Sequence, residues 1–159
     1  MKKAFKSMLG VTLLEVLLVL VIASLILVMS IRYYQSASEN AKVNSALETL
    51  QGIMAGVDSF VNAGNSLTNA SCTGGTSAGA PCTGSLGPFV PSGAIVNPWP
   101  GSPIVVSGGA SFYTITFPNV PGSACSKLSG LATQNAKVTT SGTCPAGESQ
   151  ATMTFTVVP

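Results

Sequence analysis

A chain of 159 residues has room for one compact domain with an extension, and too little for two independent hydrophobic cores. Charged residues make up 8% of the chain and the formal net charge is +2, which argues against a surface that attracts nucleic acid or an acidic substrate. Outside one long apolar stretch the chain is rich in Ser, Thr, Gly and Asn, a composition typical of exported proteins.

Residues 1–10 form a short basic leader, MKKAFKSMLG, and residues 11–31 form an apolar segment in which Glu15 is the only charge. As a helix this segment is about 30 Å long, enough to cross the hydrocarbon core of a membrane. The alternative is a buried helix of a soluble protein, but so small a domain cannot surround a helix that is apolar on all sides. The leader lysines predict a cytoplasmic N-terminus, and everything after Arg32 is then exported.

The leader differs from an ordinary secretory signal in the position of its cleavage site. No site of the A-x-A type follows Ile31, where such a signal would be cut. We therefore predict cleavage before the apolar segment, after Gly10, so that the hydrophobic helix stays in the mature protein.

Residues 32–63 continue the helix in amphipathic form, since their apolar residues recur at spacings of three and four. Neither proline nor any glycine before Gly52 interrupts the chain from Val11 to Ala63, so one helix of about 50 residues is predicted, roughly 80 Å long. Ile53 and Phe60 widen its apolar stripe, which comprises Val43, Leu47, Leu50, Met54, Val57 and Val61.

Gly52 and Gly56 form a G-x-x-x-G motif in this amphipathic part. Two interpretations stay open: close helix contact between subunits, or close packing of a strand of the same chain across the helix. The second is favoured because the motif lies beyond the membrane segment.

Residues 64–159 are predicted to form a small globular head that is crosslinked by disulfides. An even number of cysteines in an exported domain indicates two disulfides. Pairing neighbours in sequence is preferred, although cross-pairing stays open; the four residues are Cys72, Cys82, Cys125 and Cys144. A zinc site is disfavoured because the chain has neither histidine nor a C-x-x-C motif.

Alternating and β-branched residues predict strands within the head. Residues 64–87 are expected to be a loop, residues 88–103 a proline-rich connector, and residues 121–131 a short helix. Trp99 is expected to cover the edge of the core, a ligand-stacking role being the alternative. The strands are predicted at 104–107, 111–117, 137–140 and 151–158, with a turn at Gly108 and Gly109. An antiparallel sheet on the amphipathic half of a long helix is an α+β fold.

Gly10 followed by VTLLEVLLVLVIASLIL resembles the prepilin signature of type IV pilins and of the related pseudopilins of type II secretion. The motif that carries the resemblance covers about 25 residues of the chain. Val11 and Arg32, where many type IVa pilins have phenylalanine and proline, make the chain more similar to type IVb pilins, although its leader is shorter. The stretch FYTITFPNVPGSACSKL also resembles the entry to the cysteine-bounded region of that subclass, which supports pairing Cys125 with Cys144.

The resemblance implies that a prepilin peptidase cleaves between Gly10 and Val11 and methylates the new amino group of Val11. It also implies a helical homopolymer, assembled by an inner-membrane platform and a motor from a single-pass membrane precursor into an extracellular pilus. No acidic cluster like the calcium site of major pseudopilins is evident in the sequence, and neither a metal nor another cofactor is expected.

Glu15 is the residue whose role most needs an explanation. A carboxylate near the centre of a spanning helix costs about 2.5 to 3.5 kcal/mol on insertion scales, so it is expected to have a partner. We hypothesise that it pairs with the cleaved amino terminus of a neighbouring subunit and sets the register of assembly. The alternative is a carboxylate that merely lies at the headgroup boundary.

The leading functional hypothesis is a structural pilus subunit. A heterologous interface between such subunits that does not close into a ring would generate an open-ended helical filament. The alternative is a minor pilin, a type II secretion pseudopilin or a component of a DNA-uptake pilus, all of which share the N-terminal features. An enzyme is not expected, because the chain has no histidine and no acidic residue within a catalytic motif. A simple one-span receptor would not need the spacing from Gly10 to Glu15.

Overall fold

The structure is a computed structural model that describes residues 13–75, 80–146 and 149–159. Its helices are α1 (Leu13–Asn62) and α2 (Gly122–Ala132), and its strands are β1 (Ser71–Thr73), β2 (Val105–Gly108), β3 (Tyr113–Pro121), β4 (Val138–Ser141) and β5 (Gln150–Val157). The chain divides into two units, Met1–Ser38 and Glu39–Pro159, and α1 contributes residues to both. The α+β fold predicted from the sequence is confirmed.

Helix α1 is continuous over its 50 residues, as the absence of proline predicts. It ends where Gly64 takes a φ of 86°, a conformation that glycine adopts without a steric penalty. The Gly64 amide donates to the carbonyl of Val61 at 2.9 Å, which satisfies one of the free acceptors at the end of the helix.

The five strands form one antiparallel sheet with the order β1-β2-β3-β5-β4. Strand β3 lies at its centre, and alternate residues Tyr113, Ile115 and Phe117 are buried, as the period of two predicts. They face the core together with Met153, Phe155 and Val157 of β5. The rings of Phe117 and Phe155 meet edge to face, with centroids 5.6 Å apart.

The second half of α1 supplies the other wall of this core, but the buried face differs from the predicted stripe. Val61 is 37% exposed, and Leu47 and Met54 are only partly buried. The buried face comprises Val43, Ala46, Thr49, Leu50, Ile53, Gly56, Val57 and Phe60. A count of large apolar residues gave no weight to Ala, Thr and Gly, yet small residues are the ones that allow the rest of the domain to approach the helix closely.

The two glycines of the G-x-x-x-G motif have different surroundings. A Cβ atom on Gly56 would lie 2.5 Å from Cγ2 of Val90 and 3.4 Å from the carbonyl oxygen of Phe89, whereas Gly52 is open. The prediction that a strand crosses the motif was therefore wrong, because Phe89 ends a 3₁₀ helix (Gly87–Phe89). Only Gly56 needs to be small for this packing.

Strand β1 lies within the segment predicted to be a loop, so that part of the prediction was wrong. Its three residues have too short a pattern to recognise, and their partners in β2 come more than thirty positions later in the chain, with Cys72 opposite Val106. Strand β3 continues to Pro121, beyond the predicted end at Phe117, because a bulge between Phe117 and Val120 lets pairing with β5 resume. Gly108 belongs to β2 and not to the turn.

Both disulfides are formed in the pairing that the sequence analysis preferred. Cys72 is bonded to Cys82 and Cys125 to Cys144, each with a Cα separation of 5.6 Å. The first ties β1 to the segment leading to the 3₁₀ helix, and the second ties α2 to the chain after β4. They thus constrain different parts of the domain.

The proline-rich connector is held by side-chain amides. Nδ2 of Asn97 donates to the carbonyls of Ser102 and Pro118 at 3.0 Å each, and its Oδ1 accepts from the Trp99 amide at 3.1 Å. Trp99 itself is only 3% exposed and belongs to the core. The amide contacts connect this segment to the β3 bulge, where Pro118 lies.

Candidate functional site

The candidate site is the N-terminal part of α1, in the unit Met1–Ser38. Every residue described from Leu13 to Ile31 is exposed, and the large apolar side chains there are 48% to 78% exposed. At the rise of an α-helix this stretch is about 28 Å long, close to the thickness of a hydrocarbon core. Among the described residues, one helix is long and apolar enough to span a membrane, and this is its apolar part.

Two serines interrupt the apolar surface, and the hydroxyl group of each donates a hydrogen bond to a backbone carbonyl of the same helix. Ser24 Oγ donates to the carbonyl of Val21 at 2.7 Å, and Ser30 Oγ donates to the carbonyl of Ile26 at 2.8 Å. Such bonds to the preceding turn keep a hydroxyl paired without any partner outside the helix. The serines therefore do not require a second chain or water.

Glu15 is the exception among the polar residues of this segment. It lies in the first turn of α1 and is exposed, on one helix face with Val19 four residues later. Between Leu13 and Ile31 it forms no hydrogen bond or ion pair with any residue that the structure describes. A negative charge at this position interacts favourably with the helix dipole, but a carboxylate surrounded by apolar side chains still needs a cation or a donor.

Gly10 and Val11, the predicted cleavage site and methylated residue, lie outside the described residues. Glu15 is therefore the only one of the three predicted processing and assembly residues whose surroundings are known. The four cysteines are far along the chain from it and form their two disulfides in the second unit.

No protein-family model matches this chain. No curated protein and no solved structure matches it either. The features that bear on function are therefore the chemistry of the apolar helix and the resemblance of the N-terminal motif.

In the second unit, Gly52 adjoins an exposed depression of the helix surface that Ser45, Glu48, Ala94 and Val96 also line. Nothing in the structure fills the space beside Gly52. Contact between subunits therefore stays open as an interpretation for Gly52 and not for Gly56. Across residues 13–75, 80–146 and 149–159, no three His, Cys, Asp or Glu side chains form a group that could bind a metal ion.

Tyr33 and Tyr34, to which the sequence pattern assigned no role, lie just after the apolar segment. They are 80% and 75% exposed, whereas Tyr113 in the core is 1% exposed. The signal that could have identified them is their position beside Arg32 at the end of an apolar run of membrane length.

Proposed function

We propose that this chain is the structural subunit of a type IV pilus, made as a single-pass precursor in the cytoplasmic membrane. A prepilin peptidase cleaves it after Gly10 and methylates Val11, and the mature chains then polymerise through their N-terminal helices into a surface filament. An assembly platform and a motor in the membrane extract the helix from lipid. The head is exported and forms the outside of the filament.

One observation carries this proposal: residues 13–31 form an exposed apolar stretch of helix in which both serines are hydrogen-bonded to the helix backbone and Glu15 is the single ionisable group. A lipid environment accounts for the apolar surface and allows a carboxylate at the headgroup boundary, but it assigns that carboxylate no function. A bundle of identical helices accounts for both, because each subunit brings the apolar surface and also a cationic amino terminus. The helix packed on an antiparallel sheet with disulfides is compatible with this function.

In such a bundle Glu15 selects the register of each incoming subunit. Attraction between a carboxylate and an amine is much stronger among apolar side chains than in water. A subunit in the wrong register would bury an unpaired charge, which costs several kcal/mol. The proposed role is thus recruitment and register, and not a net gain in filament stability.

The first experiment is mass spectrometry of sheared surface filaments. We expect this chain to be the dominant component, to begin at methylated Val11, and to have both disulfides closed. A scarce chain with the same processed terminus would instead indicate a minor pilin or pseudopilin. A chain that retains residues 1–10 and is absent from filaments would refute the proposal.

The second experiment tests Glu15 in cells. Glu15→Gln should be inserted and cleaved normally but yield few filaments, and Glu15→Lys should yield fewer, since it places a second cation near the incoming amine. Glu39→Gln makes the same chemical change on the same helix outside the apolar segment and should leave the yield unchanged. A normal yield from processed Glu15→Gln would rule out the pairing.

A further inference from the structure

Three consecutive residues, Arg32, Tyr33 and Tyr34, end the apolar part of α1. Tyr33 is 80% exposed and Tyr34 is 75% exposed, and among the other large apolar side chains of the described residues only Leu13, at 78%, is more exposed than Tyr34. Most of the surface of both rings is therefore left uncovered by the part of the chain that the structure describes.

Their spacing argues for a partner that surrounds the helix. Successive residues of an α-helix are about 100° apart and rise 1.5 Å each. The three side chains therefore point over more than half of the helix circumference, while their positions along the helix axis differ by only about 3 Å. A contact with one neighbouring helix uses positions three and four apart, which share a face. The plane between lipid and water meets a helix on all sides at one depth.

Their chemistry fits that plane as well. Tyrosine is enriched at membrane interfaces, where the ring contacts acyl chains and the hydroxyl group reaches the headgroups. An arginine guanidinium group is well suited to donate hydrogen bonds to a phosphate, and its aliphatic stem tolerates apolar surroundings, so Arg32 has the chemistry of this plane too. From Glu15 to Arg32 the helix rises about 26 Å, so the two charges lie near opposite boundaries of a hydrocarbon core about 30 Å thick.

We infer that Arg32, Tyr33 and Tyr34 form an interfacial anchor that binds the phosphate and ester groups of phospholipids in the outward-facing leaflet. This inference rests on the proposed membrane precursor and adds which residues set the depth of its helix. The anchor holds Glu15 near the inner boundary, where burial of its charge is least unfavourable.

The test measures depth in vesicles of phosphatidylethanolamine and phosphatidylglycerol that contain the full-length chain. Three variants each add one tryptophan: Tyr33→Trp, Tyr34→Trp and, as a deep control, Leu25→Trp. The parent chain, which keeps Trp99, supplies the signal to subtract. Quenchers are lipids brominated near the headgroup, lipids brominated near the chain terminus, and aqueous iodide.

We expect the Tyr33→Trp and Tyr34→Trp probes to be quenched most by the shallow bromines, and the Leu25→Trp probe by the deep ones. Quenching of the first two by iodide alone, or by the deep bromines as strongly as the control, would overturn the inference. Failure of all bromolipids to quench the Leu25→Trp probe would instead refute the membrane precursor itself.

A second measurement tests whether the tyrosines set the depth. Adding Tyr33→Ala and Tyr34→Ala to the Leu25→Trp chain should shift its quenching profile, whereas Gln35→Ala with Ser36→Ala should not. An unchanged profile in the tyrosine variant would contradict an anchoring role. The same would follow if quenching at positions 33 and 34 changed with the protein-to-lipid ratio, since this would indicate contact with a second copy.

Discussion

Gly56 and Val90 are in such close contact that a Cβ atom on the glycine would lie 2.5 Å from Cγ2 of the valine, whereas Gly52 has open space at the same point. Val90 is buried and β-branched, so it has little freedom to move aside. The same pair of glycines thus has one member that the fold requires and one that it does not.

We predict that Gly56→Ala destabilises the head by about 1 to 3 kcal/mol, the usual effect of overpacking. Gly52→Ala should be neutral or stabilise it by up to about 1 kcal/mol, because alanine favours the helix. Urea unfolding of the detergent-solubilised chain, followed by Trp99 fluorescence, measures both. Equal effects of the two substitutions would contradict the packing described for Gly56.

The two disulfides should differ in their access to reductant. Cys72 and Cys82 are both buried, whereas Cys144 is exposed although its partner Cys125 is buried. Mild reduction of the folded chain should therefore open Cys125–Cys144 first. Alkylation at successive times, followed by peptide mass spectrometry, shows which disulfide is reduced first. Labelling of Cys72 before Cys144 would contradict the prediction.

The consequence of opening each disulfide should be large for so small a domain. In the chain-entropy model a closed loop of this size contributes about 3 kcal/mol. Cys125→Ser with Cys144→Ser should lower the free energy of unfolding by that order, with the other disulfide intact as an internal control. A loss well below 1 kcal/mol would contradict this prediction.

Stability at high pH should depend on Tyr113. Burial, with a smaller contribution from the negative charge of Asp58, raises the pKa of its phenol above the ordinary value of 10.0. The folded state thus favours the neutral phenol, and this contribution is complete below pH of about 10 and is lost as the pH rises through the folded-state pKa. The free energy of unfolding should fall above that pH, and less steeply in Tyr113→Phe.

The matched control for this titration is Tyr33→Phe, which removes an exposed phenol from the other unit. It should keep the full decrease of the parent chain between pH 9 and 11, a range that spans the ordinary tyrosine pKa of about 10. Identical curves for the parent and Tyr113→Phe would show that this phenol does not contribute.

Asn97 should be important for the connector, since its side-chain amide makes two hydrogen bonds within the connector and one to Pro118 of β3. Asn97→Ala leaves two carbonyls and one amide without these partners, and we expect a loss of about 1 to 3 kcal/mol with a red shift of Trp99 emission. Asn44→Ala, at an exposed helical position, is the control and should change neither quantity. An Asn97→Ala head as stable as the parent would show that these hydrogen bonds do not hold the connector in place.

The sequence predicted best what depends on local periodicity. The continuous helix and strands β2, β3, β4 and β5 follow from runs and alternation, and their ends moved by a few residues. Strand β1 was missed because it exists through pairing with a distant segment. The predicted buried face of α1 differs from the observed one because Ala46 and Gly56 are buried for their small size, which a pattern of large apolar residues does not detect.

For the candidate site, the sequence alone identified Glu15 as an anomaly, because one charge in an apolar run is visible without any structure. It did not reveal that Ser24 and Ser30 are paired within the helix, since a hydroxyl group has several alternative acceptors. It also did not predict the contrast between two exposed tyrosines and a buried one, which depends on tertiary packing.

The hydroxyl groups of Ser24 and Ser30 are hydrogen-bonded to carbonyls of their own helix. Moving this helix from one apolar environment to another would therefore break no hydrogen bond at either serine. Among residues 13–31, the carboxylate of Glu15 is the one polar side chain without such an internal partner, so in the proposed assembly it is the group that must change partners. If the proposed filament forms, the position of residues 13–31 along neighbouring helices would thus be selected at Glu15, because the other side chains of this stretch are equally compatible with any apolar environment.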